Sequence, residues 1–152
     1  MIFLVRHAKA GHRDPTVPDD TQRPLTPNGW NQAKALIEPL VEAGATDHLL
    51  SSPYVRCMQT LEPLAIRLDT NVIADDRLAE EQPLAPLLDL LVEVPEGSVL
   101  CSHGDMIPDV IAALQRRRCT IATEPNWKKG AVWALTRKNG AFVSASAWPP
   151  PE

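Results

Sequence analysis

Ile2-Phe3-Leu4-Val5-Arg6-His7-Ala8 is an apolar run that stops abruptly on an adjacent arginine and histidine. Ile2 to Val5 reads as a short buried strand. A cation followed by an imidazole is an unusual way to end one, because both side chains then lie at the carboxyl edge of a sheet, where open α/β folds bind ligands. The dipeptide alone would pass for solvated surface residues. The rest of the chain changes that reading. Ser98-Val99-Leu100-Cys101-Ser102-His103-Gly104 is a second apolar run ending on a histidine, and Arg56 follows the helix-start signal Ser52-Pro53. Two strands ending on histidine, with arginines from separate segments, make a site for a phosphoryl group.

Working outward, strands and helices alternate. Asn28 to Val41 has helical spacing of Ala33, Leu36, Ile37 and Leu40, with Gly44 as its stop. Asp47–Ser51 is a short strand. Ser52 as N-cap and Pro53 at the first helical position predict the next helix, with Met58, Leu61, Leu64, Ala65 and Leu68 facing the core. Asn71–Ala74 is a strand, Leu84–Val94 a leucine-rich helix, Ser98–Ser102 a strand, and Asp105 or Met106 opens a helix to about Arg116. Gly130–Thr136 and Ala141–Ala147 form a hairpin around Asn139-Gly140, a strong turn signal. The Pro- and Asp-rich stretch from Gly11 to Gly29 is a long loop of the kind that is usually functional or mobile. Pro149-Pro150-Pro151 reads as a tail leaving the domain. The pattern predicts an α/β three-layer sandwich with a mostly parallel central sheet and one antiparallel edge.

With 152 residues, one domain over 1–152 is expected. A hydrophobic content of 44% with 22% charged residues fits an ordinary globular chain. The net charge of −4 argues against bulk attraction to nucleic acid, so anion binding must come from locally placed arginines. Met1 to Val5 is too short for a signal peptide, and no stretch approaches the ~20 apolar residues of a membrane helix. A cytoplasmic monomer is the expectation. Cys57, Cys101 and Cys119 are widely spaced and lack zinc-ligand spacing, which suits buried thiols in a reducing compartment. No metal or other cofactor is expected.

Phosphoryl transfer requires charge neutralisation, an in-line nucleophile and a proton for the leaving oxygen. Arg6, Arg56 and Arg23 fit the first role through a planar fork that matches phosphate oxygens. His7 fits the second, because an uncharged imidazole has an available lone pair and remains a good leaving group once phosphorylated. The helix start after Gly104 can add backbone N–H groups. Lys9, Lys128 and Lys129 are candidates for collecting an anion at the site mouth, with solvated lysines as the default. Trp127 is a candidate cleft residue and Trp133 a core residue, while His12 and His48 read as surface positions.

Leu4-Val5-Arg6-His7, Ser51-Ser52-Pro53-Tyr54-Val55-Arg56-Cys57-Met58-Gln59-Thr60 and Ser102-His103-Gly104 resemble the three signature segments of the phosphoglycerate-mutase-like histidine phosphatase superfamily. The resemblance covers essentially the whole chain. It implies transient phosphorylation of His7, with Arg6, Arg56 and His103 holding the phosphoryl oxygens. It also implies an acid from Arg77-Leu78-Ala79-Glu80-Glu81. Glu80 falls where mutase-type members place that acid, Glu81 is the fallback, and two solvated loop glutamates are the alternative, since some short members lack it. Ala8 stands where the motif usually has glycine. Arg23-Pro24-Leu25-Thr26-Pro27-Asn28-Gly29 is similar to SixA-like phosphohistidine phosphatases, in which the arginine matching Arg23 is thought to reach the phosphate; a plain loop arginine is the alternative. Gly44 to Asp47 and Arg56 to Ala65 look closer still to the phosphatase-like domain attached to some bacterial Nudix hydrolases. No Nudix box is present here, so that activity does not carry over.

The resemblance therefore implies a phosphatase acting on a phosphorylated small molecule or a phosphohistidine protein. The alternatives are a catalytically weak phospho-ligand binding module of the same fold, or a mutase. The short stretch from Thr70 to Gly97 leaves little chain for the lid a mutase needs.

Overall fold

The computed structural model describes residues 1–152. Its centre is β1 (Ile2–Arg6), four of whose five residues are completely buried. A strand apolar on both faces must be covered on both, and two cores meet it. Ile2 and Leu4 join a cluster with Leu87, Leu91, Val110 and Leu114, while Phe3 and Val5 join another with Leu40, Leu49, Leu61 and Leu64. The first cluster draws on α4 (Leu84–Glu93) and α5 (Met106–Arg116), and the second on α2 (Ile37–Glu42) and α3 (Val55–Arg67), while α1 (Pro27–Ala35) places Ala33 in a small cluster with Ala8 and Leu25. The result is the three-layer α/β sandwich the pattern predicts.

The sheet also contains β2 (Leu49–Ser51), β3 (Val72–Ala74), β4 (Val99–Ser102), β5 (Thr120–Ile121), β6 (Val132–Lys138) and β7 (Ala141–Trp148). Their order is β3-β2-β4-β1-β6-β7-β5. Pairing is parallel from β3 to β1, antiparallel from β1 to β6 and from β6 to β7, and parallel again at β5. The antiparallel pairing thus sits on one side of a mostly parallel sheet, and the two-residue β5, which carries no clear sequence signal, lies outside it. The β6–β7 turn is made by Asn139 and Gly140, both with positive φ (52° and 78°), as the Asn-Gly signal requires.

Three local expectations need correction. The helix expected over Asn28–Val41 is broken at Leu36 into α1 and α2. Pro39 is the reason: it offers no N–H to the Ala35 carbonyl, and its ring crowds that oxygen. The helix expected from Ser52 starts at Val55, behind an extended Tyr54 that makes no side-chain cap. The Ser52 hydroxyl instead accepts the Tyr54 N–H at 3.3 Å and lies 2.8 Å from His103 Nε2. Finally, Pro149 to Pro151 do not leave the domain. They wall a cleft with Lys9, Gln32 and Lys128.

Register places the site. Arg6 pairs with Ser102, and the His7 N–H reaches the Ser102 carbonyl at 3.1 Å. Ser51 pairs with Cys101, and the Ser52 N–H reaches the Cys101 carbonyl at 3.0 Å. The ends of β1, β4 and β2 therefore sit side by side, and α3 starts immediately beyond. Gly29 lets α1 press against the same edge: a Cβ there would fall 1.9 Å from the Lys9 carbonyl oxygen.

Candidate active site

Beyond these strand ends lies an open cleft of about 450 Å³ with no hydrophobic lining. Arg6, His7, Arg23, Arg56, Glu80 and Gly104, six of the seven residues singled out from sequence, line it. The seventh, His103, is buried behind them, its ring centroid 5.5 Å from that of His7.

His7 is 4% exposed, and its Nδ1 is 2.8 Å from the Ala8 carbonyl oxygen. A carbonyl only accepts, so Nδ1 carries the proton and Nε2 keeps its lone pair. Burial pushes the His7 pKa down to about 3, and the nearby His103, Arg56 and Arg6 add to that, against the bond to Ala8. The imidazole is therefore uncharged near neutral pH, the state a nucleophile needs. Ala8 is completely buried and its N–H is bound to Thr60 Oγ1 at 2.9 Å. Its methyl group is thus tucked into the protein.

Arg56, on the first turn of α3, is completely buried. Its Nη1 donates to the Asp20 carbonyl at 2.8 Å, and its Nη2 donates to Glu80 at 2.7 Å and lies 3.1 Å from the Asp20 carboxylate. The guanidinium also sits 4.9 Å from the Tyr54 ring centroid. Arg6 is held by the Trp127 carbonyl at 2.5 Å. The Nε–H groups of both arginines are buried without a protein acceptor. Two guanidinium groups are thus fixed by protein where they line the cleft, which places their charge to meet an oxyanion. Gly104 makes room for this: a Cβ there would lie 2.6 Å from Arg6 Cζ.

The expected contribution of the following helix is smaller than its sequence suggests. The Met106 and Ile107 N–H groups are already spent on the His103 carbonyl, at 3.2 and 3.1 Å, which leaves those of Gly104 and Asp105. His103 Nδ1 lies 3.3 Å from Glu80 Oε1. Cys57, completely buried, lies 3.5 Å from His103 Nε2 and fills space beneath it.

Sequence reasoning missed Arg13 and Asp20. The loop after β1 folds back over the cleft through a short 3-10 turn, Asp20–Gln22. Asp20 bonds Arg23 Nε at 2.8 Å and Arg13 at 3.1 Å, besides meeting Arg56. Arg23 first, then Arg56 and Arg13, hold its carboxyl well below the usual range against the effect of burial. The only signal was the length and acidity of the loop. Arg23 accordingly lines the cleft as one partner of Asp20. Glu81 lines it too, as does His12, read from sequence as a surface position. Of the three lysines, only Lys129 reaches this cleft; Lys9 and Lys128 lie with Lys129 on an adjoining one. Trp127 contributes its backbone here, while its ring packs on Trp133 at a centroid distance of 5.1 Å.

A family model described as the histidine phosphatase superfamily (branch 1) matches residues 2–83. The chain belongs to the histidine phosphatase superfamily. It is 36% identical over 158 residues to an 8-oxo-(d)GTP phosphatase of Mycolicibacterium smegmatis (strain ATCC 700084 / mc(2)155), an alignment covering 99% of this chain and 48% of that protein. The chain thus spans about half the length of this relative. Among solved structures, the protein histidine phosphatase SixA complexed with tungstate superposes with a TM-score of 0.74 at 21% identity, covering 93% of this chain and 91% of the other. A phosphoserine phosphatase of Entamoeba histolytica in complex with 3-phosphoglyceric acid gives 0.66 at 17% identity, covering 93% of each chain. At these identities the structural likeness is one of histidine phosphatase fold alone. No helix is long and apolar enough to cross a membrane.

Proposed function

We propose that this chain is a hydrolase that removes a phosphoryl group from a phosphomonoester or a phosphohistidine through a phospho-His7 intermediate. The observation that carries the reading is the uncharged His7, whose Nδ1 is held by the Ala8 carbonyl and which lines one cleft with Arg6 and Arg56 close enough for their charges to act on it. Nε2 attacks phosphorus in line, a P–N bond forms, and the bridging P–O or P–N bond breaks with its electron pair going to the leaving group. Water then attacks the phosphorylated imidazole, releasing phosphate and restoring His7. Arg6, Arg56 and His103 stabilise the charge on the transferring oxygens. Glu80, at the cleft wall, supplies the proton an alkoxide needs and also fixes Arg56. Arg23 and the Gly104 backbone complete the binding surface.

The same reading treats residues 1–152 as a single histidine phosphatase domain acting as a cytoplasmic monomer. Its substrate is a phosphorylated small molecule, nucleotides included given the Mycolicibacterium relative, or a phosphohistidine protein. The open cleft favours hydrolysis over a mutase that must enclose its substrate, and the intact arginine and histidine set favours turnover over a binding module. Rapid-quench experiments with a labelled aryl phosphate test the mechanism. An acid-labile, base-stable phosphoenzyme, absent in His7→Ala, is expected. A burst of phosphate in His7→Ala equal to that of the parent overturns it.

A further inference from the structure

The chain has five lysines and a net charge of −4, yet three of those lysines, Lys9, Lys128 and Lys129, gather at one place. They line a second open cleft of about 490 Å³, with Pro149 to Pro151 as part of its wall. Lys129 lines both this cleft and the phosphoryl cleft, so the two adjoin. None of the three makes an ion pair, although six of the ten arginines do. The one acidic residue on the second cleft, Glu152, pairs with none of them. Lys129 is partly buried, and burial, then Arg6, Arg23, Arg56 and Lys9, depress its pKa. With no carboxylate paired to Lys129, a bound anion would relieve that crowding. Hydrogen bonds shape the wall: Gln32 accepts the Lys9 N–H at 2.9 Å, and Asn126 accepts the Lys128 N–H at 3.0 Å.

The geometry points to a second anion subsite, formed by Lys9, Lys128 and Lys129, that takes the next phosphate of a substrate whose terminal phosphoryl group sits against His7. This rests on the phosphatase reading above and names its substrate class: phosphoanhydrides, such as a nucleoside diphosphate. The chemistry balances within the same mechanism. His7 Nε2 bonds the terminal phosphorus, the bridging P–O bond breaks, and the electron pair stays on the remaining phosphate, whose charge the lysines share. Such a leaving group needs far less protonation than an alkoxide.

The test uses the full chain and the Lys9→Gln/Lys128→Gln double variant, which leaves Lys129 and the phosphoryl cleft intact. Steady-state kinetics on a nucleoside diphosphate should show KM raised about tenfold with kcat little changed, the scale of losing two partly screened charge contacts. KM for phenyl phosphate should not move. The effect should shrink as salt is raised. Equal KM changes on both substrates, or none on either, overturn the subsite. Calorimetry on His7→Ala, which needs no turnover, separates this from the parent reading. Pyrophosphate should bind more tightly than orthophosphate, and adding the two lysine substitutions should abolish the difference. If the two anions bind alike from the outset, the subsite is refuted even where phenyl phosphate is hydrolysed. If pyrophosphate is preferred but no phosphate is released from any substrate, only the phosphatase reading fails.

Discussion

Arg56 and Glu80 meet at 2.7 Å at the inner wall of the cleft, the arginine completely buried and the glutamate partly so. The pair joins the start of α3 to the segment after β3, and Asp20 closes it from the loop after β1. A guanidinium this deeply buried is held in place by its carboxylates, and removing either leaves a desolvated charge with poorer compensation. The contact of Glu80 with Arg56 and its proposed role as proton donor can be pulled apart. We expect Glu80→Gln to lower turnover on every substrate through its weaker hold on Arg56. On alkyl phosphates a further loss of about 10²-fold is expected, the low end of general-acid effects. Glu81→Gln should do little. Identical losses on alkyl phosphates and on phosphohistidine would leave Glu80 as a positioning residue only.

Arg56→Lys removes the planar fork while keeping the charge. Turnover should fall about 10²-fold, as when one preorganised donor is lost. The loss should appear in kcat as well as in kcat/KM. A change confined to KM would assign Arg56 to ground-state binding.

Gly104→Ala places a methyl group against the Arg6 guanidinium. A flexible side-chain end can yield, so thermal stability should barely change. Turnover should drop by at least about tenfold, because an arginine displaced by even an ångström loses its alignment. Unaltered kinetics would show that Arg6 needs no such fixed placement.

His7 should remain neutral well into acid. Its pKa of about 3 lies below the unfolded value of 6.5, so the unfolded chain binds the extra proton first. The corresponding stability is complete above pH 6.5 and is lost as pH falls towards 3. Nitrogen-15 spectra should show the Nδ1–H tautomer unchanged from pH 8 to about 5. A His7 titration centred near 6.5 would contradict the burial argument.

Arg6, Arg13, Arg23 and Arg56 together with Lys129 surround the cleft and can offset phosphate charge without a cation. Dialysis against a strong chelator should leave phosphatase activity unchanged. Recovery only on adding a divalent ion would require a different mechanism.

The parts of this site legible in the sequence were those written locally. The ends of β1 and β4 announce themselves, because an apolar run stopped by histidine puts the histidine at the sheet edge whatever follows. Asn139-Gly140 fixed its hairpin for the same reason. Asp20 and Arg13 were invisible, since their meaning depends on a loop folding back onto Arg56, 36 residues from Asp20 in sequence. Ser52 misled for a related reason. It reads as a helix cap until a histidine from β4 arrives beside its hydroxyl. Pro39 broke a helix whose apolar spacing ran straight through it, and here the backbone rule outweighed periodicity. The lysines read as solvated singly and become a group only when Lys9 and the 128–129 pair meet across the fold.

The place of β1 in the sheet also bears on how the protein is made. Of the strands in this sheet it is the earliest in sequence, yet its neighbours are β4, about a hundred residues later, and β6, later still. The Arg6 N–H finds its partner at Ala131, and the Arg6 and His7 carbonyls find theirs at Gly130. Until β4 and β6 have been translated, this strand has two open edges, the state most exposed to aggregation and to chaperone capture. Arg6 and His7, although they precede every other strand of the sheet, reach their places beside Ser102 and Gly130 only when the later strands arrive, so a chain cut short of β6 carries these signature residues without the geometry around them.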